Sequence, residues 1–274
     1  MKKEFCYTTF NNLELWGTYY SAKETSSTKP LIIYFHGGGL IYGNRDDLPQ
    51  EHLETFLDNG YSVITLDYPL IPEVKIDVVL HCLKQGIHYI TEHFQQDFIY
   101  FGRSAGAFLA LQLANCDSLI KPKKIISFYG YYSLNEPLLH QASDYYKKVP
   151  IVPFMTVHHL KRKQPIKEAL IEERFPIYLS FRQSGTWVKE LLGRKNEIND
   201  FSLTTEDLQK LPPIFVAASE HDQDIPFQIN QELANQASNA TCFFVKDLPH
   251  DFDADPKREA AISCYKEVIK WLGQ

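Results

Sequence analysis

The sequence predicts an α/β fold in which helices cover both faces of a mostly parallel central sheet, with a helical cap inserted into it. Three patterns indicate this fold. Short apolar runs alternate with helical patterns along the 274 residues, as strands and helices do in such folds. Most of these runs are continuous rather than alternately polar and apolar, which is typical of strands buried on both faces. One long central stretch lacks a strand signal and indicates an insertion.

The chain begins with a predicted antiparallel hairpin. Residues 4–10 and 13–20 are rich in aromatic residues and threonine, which favour strands. They flank Asn11 and Asn12, and asparagine tolerates the left-handed backbone that a tight turn requires. We therefore predict two strands joined at this asparagine pair.

The rest of the chain supplies the predicted parallel sheet and its helices. Six apolar runs predict strands, at residues 31–35, 62–68, 98–101, 124–130, 214–219 and 241–247. Helical patterns occupy residues 47–58, 75–94, 105–115, 227–237 and 256–272. The last of them has Pro256 near its start and Gly273 at its end, which matches the helical preference for proline first and glycine last.

The alternation of strands and helices stops after Gly130. Residues 131–212, rich in tyrosine, proline and lysine, form a far longer connection than two neighbouring strands usually need. We interpret them as a mostly helical cap within a single domain of residues 1–274. Its aromatic residues, among them Tyr131, Tyr146 and Trp187, are candidates to line an acyl or aryl pocket, and the alternative, that most of them belong to the core, stays open.

A candidate nucleophile follows the strand predicted at residues 98–101. The sequence GRSAG, residues 102–106, precedes an apolar helix, which is the strand–turn–helix setting that the G-x-S-x-G motif requires. The two glycines permit a sharp turn that places Ser104 at the carboxyl end of the sheet. The alternative is a serine that merely caps a helix, and the strand before it and the helix after it favour the nucleophile.

A serine hydroxyl needs a base to take its proton and a carboxylate to orient that base. His250 lies in the loop after the strand at 241–247, and Asp222 directly follows the strand at 214–219. Because the carboxyl ends of parallel strands meet at one edge of a sheet, we expect both beside Ser104. The sequence therefore predicts a Ser104, Asp222, His250 triad in the chain order usual for such sites. Asp224 stays open as the alternative acid.

The glycines of HGGG, residues 36–39, predict backbone donors for a negatively charged oxygen. Successive glycines leave their N–H groups unobstructed in a loop that bulky residues could not follow. In acyl transfer, charge develops on the former carbonyl oxygen, and donors aimed at it lower the barrier. We predict that Gly38, Gly39 and Ala105 form this oxyanion hole. No phosphate-loop motif is present.

Composition limits the partners. The chain has 28 Lys plus Arg against 34 Asp plus Glu, and this net charge of −6 argues against nucleic-acid binding, which needs a concentrated basic face. No secretory signal or membrane-spanning run is evident, so we expect no membrane insertion and a cytoplasmic location.

The five cysteines form no C-x-x-C pair, so we expect them to be buried and predict no metal and no cofactor.

Together these motifs resemble those of the α/β-hydrolase superfamily, and within it the hormone-sensitive-lipase-like carboxylesterases and the small arylformamidase-like esterases. The resemblance rests on HGGGLIYG (36–43), DYPLIPE (67–73), GRSAG (102–106), SEHD (219–222) and HDF (250–252). It implies the α/β-hydrolase fold and a serine hydrolase without metal or organic cofactor that forms a covalent acyl-enzyme. Family members often pair, so the resemblance makes a homodimer a candidate, and the oligomeric state stays open.

Two positions depart from the family's pattern. Pro69 stands where the second motif usually carries arginine. Asp251 stands where a small residue usually follows the histidine, so its carboxylate is expected to alter the pKa of His250 or the preferred charge of the substrate.

The predicted function is hydrolysis of a small-molecule ester with a small to medium acyl or aryl group. An amidase or arylformamidase would use the same triad. A small peptidase acting on free N-termini would need an acidic pair in the cap, for which Glu172 and Glu173 are candidates. From another class, a non-catalytic ligand-binding protein on the same fold stays open, although the nucleophile and the base are both present.

Overall fold

The computed structural model describes residues 1–24, 28–94 and 97–274. Over these residues one sheet contains eight strands: β1 (Lys2–Phe10), β2 (Leu13–Tyr20), β3 (Leu31–Phe35), β4 (Val63–Leu66), β5 (Phe98–Arg103), β6 (Ile125–Phe128), β7 (Ile214–Ser219) and β8 (Ala240–Val245). The α-helices in the same residues are α1 (Gln50–Asp58), α2 (Ile76–His93), α3 (Ala105–Ala114), α4 (Phe154–Leu160), α5 (Ile171–Ser184), α6 (Trp187–Leu192), α7 (Thr205–Lys210), α8 (Phe227–Gln236) and α9 (Glu259–Leu272).

The sheet is mostly parallel, as predicted. Its strand order is β1-β2-β4-β3-β5-β6-β7-β8. β1 pairs antiparallel with β2, and β2 with β4, whereas the remaining neighbours are parallel. The predicted hairpin is confirmed, because Asn11 and Asn12 join β1 to β2 with φ values of 48° and 66°.

Helices cover both faces of the sheet. Along β3, Leu31 and Ile33 belong to one apolar cluster, which includes side chains of α2 and α3. Ile32 and Tyr34 belong to a second cluster, which includes side chains of α1 and α9. Since successive side chains of a strand point to opposite faces, the two clusters lie on opposite sides of the sheet. The continuous apolar runs of the sequence therefore reflect burial on both faces.

Two expectations about local structure are wrong. α9 begins at Glu259, after Arg258 at the N-cap position, so Pro256 lies in the preceding turn rather than in the helix. Cys82 and Cys264 are buried, but Cys242 is exposed. It lies on β8, which is the last strand of the sheet formed by the described residues and has a strand on only one side.

The segment between β6 and β7 contains α4 to α7, and α5 connects it to the carboxyl edge of the sheet. Arg174 on α5 is buried and lies with Nη2 2.7 Å from Oε2 of Glu73. The same guanidinium donates to the carbonyl oxygens of Ile41, at 3.1 Å, and Ile71, at 2.8 Å. These contacts hold α5 against the loops that follow β3 and β4.

Among the helices of the described residues, none combines the length and the apolar character needed to cross a membrane.

Candidate active site

Ser104 occupies a sharp turn between β5 and α3. Its φ is 53°, a left-handed conformation that costs about 1–3 kcal/mol and persists only when the surroundings enforce it. The flanking glycines allow this turn to fit. A Cβ on Gly102 would lie 2.2 Å from the carbonyl carbon of Gly106, and one on Gly106 would lie 2.0 Å from the carbonyl oxygen of Phe35. The spacing G-x-S-x-G thus has a steric cause.

The structure brings Ser104, His250 and Asp222 into one hydrogen-bonded line. Nε2 of His250 lies 2.9 Å from Oγ of Ser104, and Nδ1 lies 2.6 Å from Oδ2 of Asp222. Because an ionised carboxylate only accepts, Nδ1 carries the proton and Nε2 is free to accept one from the serine. The other oxygen of Asp222 accepts from the backbone N–H groups of Asp224 and Ile225, at 2.8 and 2.9 Å, which orients the carboxylate.

Asp224, the alternative acid, has other partners. The hydroxyl of Tyr178 lies 2.6 Å from its Oδ1 and 2.8 Å from its Oδ2. Nη2 of Arg182 lies 3.4 Å from Oδ1. The structure therefore places Asp222 against His250, and joins Asp224 to α5.

Gly38 and Gly39 lie at the same cavity as Ser104, with φ values of 89° and 59°. Within the described part of the chain, neither their N–H groups nor that of Ala105 has a protein acceptor. Ala105 is the first residue of α3, whose N-terminus carries partial positive charge. Among the described residues the three predicted donors are therefore not occupied by protein acceptors.

The glycine loop is supported by aromatic side chains. The hydroxyl of Tyr68 lies 2.9 Å from the carbonyl oxygen of His36 and 3.0 Å from that of Gly37, and its ring stacks on the His36 ring. The indole N–H of Trp187 donates to the carbonyl oxygen of Gly39 at 3.2 Å. A Cβ on Gly39 would lie 2.5 Å from the Tyr178 ring, so this loop and α5 are in close contact.

The cavity at Ser104 has a volume of about 260 Å³, below the range of roughly 300–1,000 Å³ that is typical of sites for drug-sized ligands. The carboxylates of Asp47, Asp224 and Asp251 line it. Glu172 and Glu173 are exposed in the first turn of α5 and do not line it. In the residues that the structure describes, no group of three His, Cys, Asp or Glu side chains is arranged to hold a metal ion.

Charges around His250 change its basicity. Burial of the imidazole lowers its pKa, but the carboxylate of Asp222, which also accepts its hydrogen bond, acts in the opposite direction. Asp224 and Asp251 add to this effect, and together the carboxylates raise the pKa of His250 above its ordinary value of 6.5. The carboxylate of Asp251 is the smallest of these contributions, and its direction is towards a higher pKa of His250.

Several residues around the site were not identified from the sequence. Arg174, Tyr178 and Arg182 recur every four residues on α5, and this spacing alone places them on one face of the helix. Asp253 lies three residues after His250 and contacts Arg103, which precedes Ser104. No motif indicates that contact.

Comparisons with known proteins agree with this architecture. The BD-FAE family model matches residues 18–237. A protein of unknown function from Staphylococcus aureus has a TM-score of 0.89 and 28% identity, with 100% of this chain and 98% of that chain covered. An alpha/beta hydrolase superfamily protein from Enterococcus faecalis has a TM-score of 0.86 and 29% identity, with 99% and 98% covered.

Curated relatives match over shorter segments. The acetyl esterase of Salmonella schwarzengrund is 29% identical over an alignment of 131 residues, and the match covers 43% of this chain and 39% of that esterase. The match to the non-reducing polyketide synthase ausA of Emericella nidulans, 24% identical, covers 52% of this chain and 6% of that synthase. The chain thus spans less than half the length of either relative. Because the family model covers most of the chain and the solved structures share its fold throughout, the chain belongs to the BD-FAE family of α/β-hydrolases.

Proposed function

We propose that this protein is a serine hydrolase that cleaves small carboxylic esters through Ser104, His250 and Asp222. One observation carries the proposal. The hydrogen-bonded line from Asp222 through His250 to Ser104 ends in a cavity that Gly38 and Gly39 also line. A nucleophile, a base, an orienting acid and oxyanion donors are the groups that acyl transfer requires.

In the proposed reaction, Oγ of Ser104 attacks the ester carbonyl carbon while Nε2 of His250 takes the hydroxyl proton. The N–H groups of Gly38, Gly39 and Ala105 donate to the resulting oxyanion. Collapse of this intermediate breaks the bond to the alkoxy group, which leaves as an alcohol with the proton from His250. The acyl group stays on Ser104.

Water then completes the cycle. His250 takes one proton from a water molecule, whose oxygen attacks the acyl-enzyme carbonyl. The second collapse returns the proton to Oγ of Ser104 and releases the carboxylic acid. Asp222 keeps Nδ1 of the imidazole protonated and stabilises the imidazolium formed in each half of the cycle.

Similarity to other proteins supports an ester as substrate. A curated relative is named acetyl esterase, although the match covers 39% of its length. The E. faecalis protein shows that the whole chain is compatible with an α/β-hydrolase superfamily fold. The choice of an ester over an amide rests on this likeness and is tested by comparing an ester with the amide of the same acyl group.

We propose that the insertion acts as a cap that restricts the acyl group. The rings of Tyr178 and Trp187 contact the glycine loop, and Tyr131 packs against Trp187 with ring centroids 5.4 Å apart. All three rings are almost fully buried. None of the three lines the cavity of about 260 Å³ at Ser104. Since they fill the space behind the glycine loop, they limit how far the cavity extends, and a short acyl chain fits better than a long one.

A series of activated esters from acetyl to decanoyl tests this proposal. We expect kcat/KM to be highest for the shortest chains and to fall steeply with length. Tyr178→Ala removes the ring beside Gly39 and is expected to move the optimum towards longer chains. Tyr178→Phe is the matched control, because it keeps the ring and loses only the hydroxyl bonded to Asp224. A flat profile in the wild-type protein would contradict the proposed cap.

The pH dependence should reveal His250 as the base. Only the neutral imidazole accepts a proton, so kcat/KM is expected to rise with pH through the His250 pKa. Asp251→Asn removes one carboxylate that favours the imidazolium, so the rise should shift to lower pH. Because Asp251 is exposed, added salt should reduce this shift.

The measurement is kcat/KM between about pH 5 and pH 10 at two salt concentrations. Asp247→Asn is the matched control, since Asp247 is an exposed carboxylate near His221 in the same region of the chain. An unchanged profile for Asp251→Asn, or an equal shift for both variants, would argue against the role given to Asp251.

A further inference from the structure

A buried polar cluster lies directly behind Ser104. We call it the Asp253 cluster, and it comprises Arg103, Tyr129, Asp253 and Tyr265. Nε of Arg103 donates to the hydroxyl oxygen of Tyr129 at 2.7 Å, and Nη2 donates to Oδ1 of Asp253 at 3.0 Å. Tyr129 donates to the same Oδ1 at 2.6 Å, and Tyr265 donates to Oδ2 at 3.0 Å. Both oxygens of Asp253 are therefore bound.

Water has little access to this cluster. Asp253 is 0% exposed, Tyr129 2% and Arg103 8%. Replacing a buried ion pair by apolar residues of similar size is often neutral or stabilising, because burying the charges offsets much of their attraction. Stability alone therefore gives no strong reason for an arginine and an aspartate at these positions.

The cluster joins three segments that carry the active site. Arg103 directly precedes Ser104, and Asp253 lies three residues after His250. Tyr129 directly follows β6, and its ring packs edge-on against the His250 ring, with centroids 4.7 Å apart. The side chains that bind one another thus belong to the turn of the nucleophile and to the loop of the base.

Backbone conformation shows that these segments need support. Ser104 has a φ of 53° and Tyr129 a φ of 40°, both in the left-handed region that residues with a side chain rarely adopt. The N–H of Ser104 donates to the carbonyl oxygen of Phe128 at 2.9 Å, so the two strained turns are also adjacent. Within the Asp253 cluster, Arg103, which precedes Ser104, is hydrogen-bonded to Tyr129, which follows Phe128.

The loop of the base is also held from the opposite side. Nε2 of His52, on α1, lies 2.9 Å from the carbonyl oxygen of Asp253. The His52 ring stacks on the Tyr265 ring with centroids 3.8 Å apart. Asp253 is therefore fixed through its side chain and its backbone, and the loop has little freedom to move relative to Ser104.

From these contacts we infer that Asp253 is a positioning residue, which acts through Arg103 and Tyr129 to set the distance between Oγ of Ser104 and Nε2 of His250. The inference rests on the proposed function, because it concerns the same reaction. Asp253 is not among the residues that line the cavity at Ser104. Asp253 acts on the geometry of proton transfer between Ser104 and His250, where a displacement of about 1 Å can lower the rate about 100-fold.

Two variants test the inference. Asp253→Ala removes the shared acceptor, and we expect kcat to fall about 100-fold with little change in KM. Tyr129→Phe removes a single hydroxyl and keeps the ring against His250, so the protein should fold, and we expect a fall in kcat of about 10-fold. The rate constant for labelling Ser104 with a fluorophosphonate should fall in parallel, because labelling needs the same activated serine.

Asp67→Asn is the matched control. Asp67 is also fully buried, and it binds Arg45 and Lys167 away from the cavity at Ser104. Rates are expressed per folded molecule, with the folded fraction measured by circular dichroism. A purely structural role would lower the folded fraction and leave the labelling rate constant unchanged, which is the result that we expect for Asp67→Asn.

The outcomes separate this inference from the proposed function. If wild-type protein is labelled and Tyr129→Phe and Asp253→Ala react at the wild-type rate per folded molecule, the positioning role is wrong and the proposed function stands. If wild-type protein is not labelled, both are wrong. If Asp253→Ala does not fold, the test rests on the labelling rate constant of Tyr129→Phe. Slower labelling than in wild-type protein supports the positioning role, and unchanged labelling overturns it.

Discussion

Ser104→Ala is expected to abolish hydrolysis of an activated acetyl ester, with kcat reduced about 10⁶-fold. In the proposed mechanism this change removes the oxygen that attacks the carbonyl carbon, and a water molecule is a poor substitute for it. Alanine keeps the Cβ of serine, so the turn with its φ of 53° bears the same strain and the fold should be unaffected. The test compares the initial rate and the fluorophosphonate labelling of Ser104→Ala with those of wild-type protein. Thermal unfolding of both proteins checks that their stability is equal.

Ser127→Ala is a suitable control for this experiment. Ser127 is a fully buried serine on β6 whose hydroxyl has no hydrogen-bond partner among the residues that the structure describes. Its replacement should leave both the rate and the label unchanged. Substantial turnover by Ser104→Ala would show that another group is the nucleophile and would overturn the proposed mechanism.

Asp222→Asn is expected to reduce kcat about 10⁴-fold. An asparagine side chain can present its N–H₂ to the imidazole, which favours the tautomer with the proton on Nε2 and leaves the serine without a base. The imidazolium also loses the carboxylate that stabilises it, since the two groups are 2.6 Å apart. The expected loss is large because the hydrogen bond to Ser104 depends on the tautomer.

Asp224→Asn provides the matched comparison. It removes the same charge two residues away, and its remaining oxygen can still accept from Tyr178. We expect a loss of less than about 10-fold, because the tautomer of His250 is unaffected. Steady-state kcat and KM for both variants decide between the two acids. A greater loss in Asp224→Asn than in Asp222→Asn would assign Asp224 as the acid of the triad.

Local patterns were sufficient for most of the fold. The near-continuous apolar runs predicted the six strands that follow the hairpin, and the asparagine pair predicted the turn between β1 and β2. These features depend on a few consecutive residues and on burial of both sheet faces. The start of α9 was misplaced because proline is favoured both in the first turn of a helix and in the turn before it.

The location of the candidate site was also accessible from the sequence. A parallel sheet gathers the carboxyl ends of its strands at one edge, so residues that follow β5, β7 and β8 had to meet there. Glycine sterics identified the turn at Ser104, since any side chain at Gly102 or Gly106 would overlap backbone atoms. What this reasoning left open was the choice between Asp222 and Asp224, which lie only two residues apart.

The sequence by itself thus determined the fold class and the edge of the sheet where the candidate site lies, because periodicity, glycine sterics and chain order act over short segments. Its motifs also resemble those of the α/β-hydrolase superfamily. Only the tertiary structure decided which carboxylate faces His250, that Tyr178 and Trp187 close against the glycine loop, and that Asp253 binds Arg103. These contacts join residues far apart in the chain, 150 positions in the last case. Each depends on distances of about 3 Å between atoms of different segments. The packing of whole helices and strands sets these distances, and no local sequence pattern encodes them.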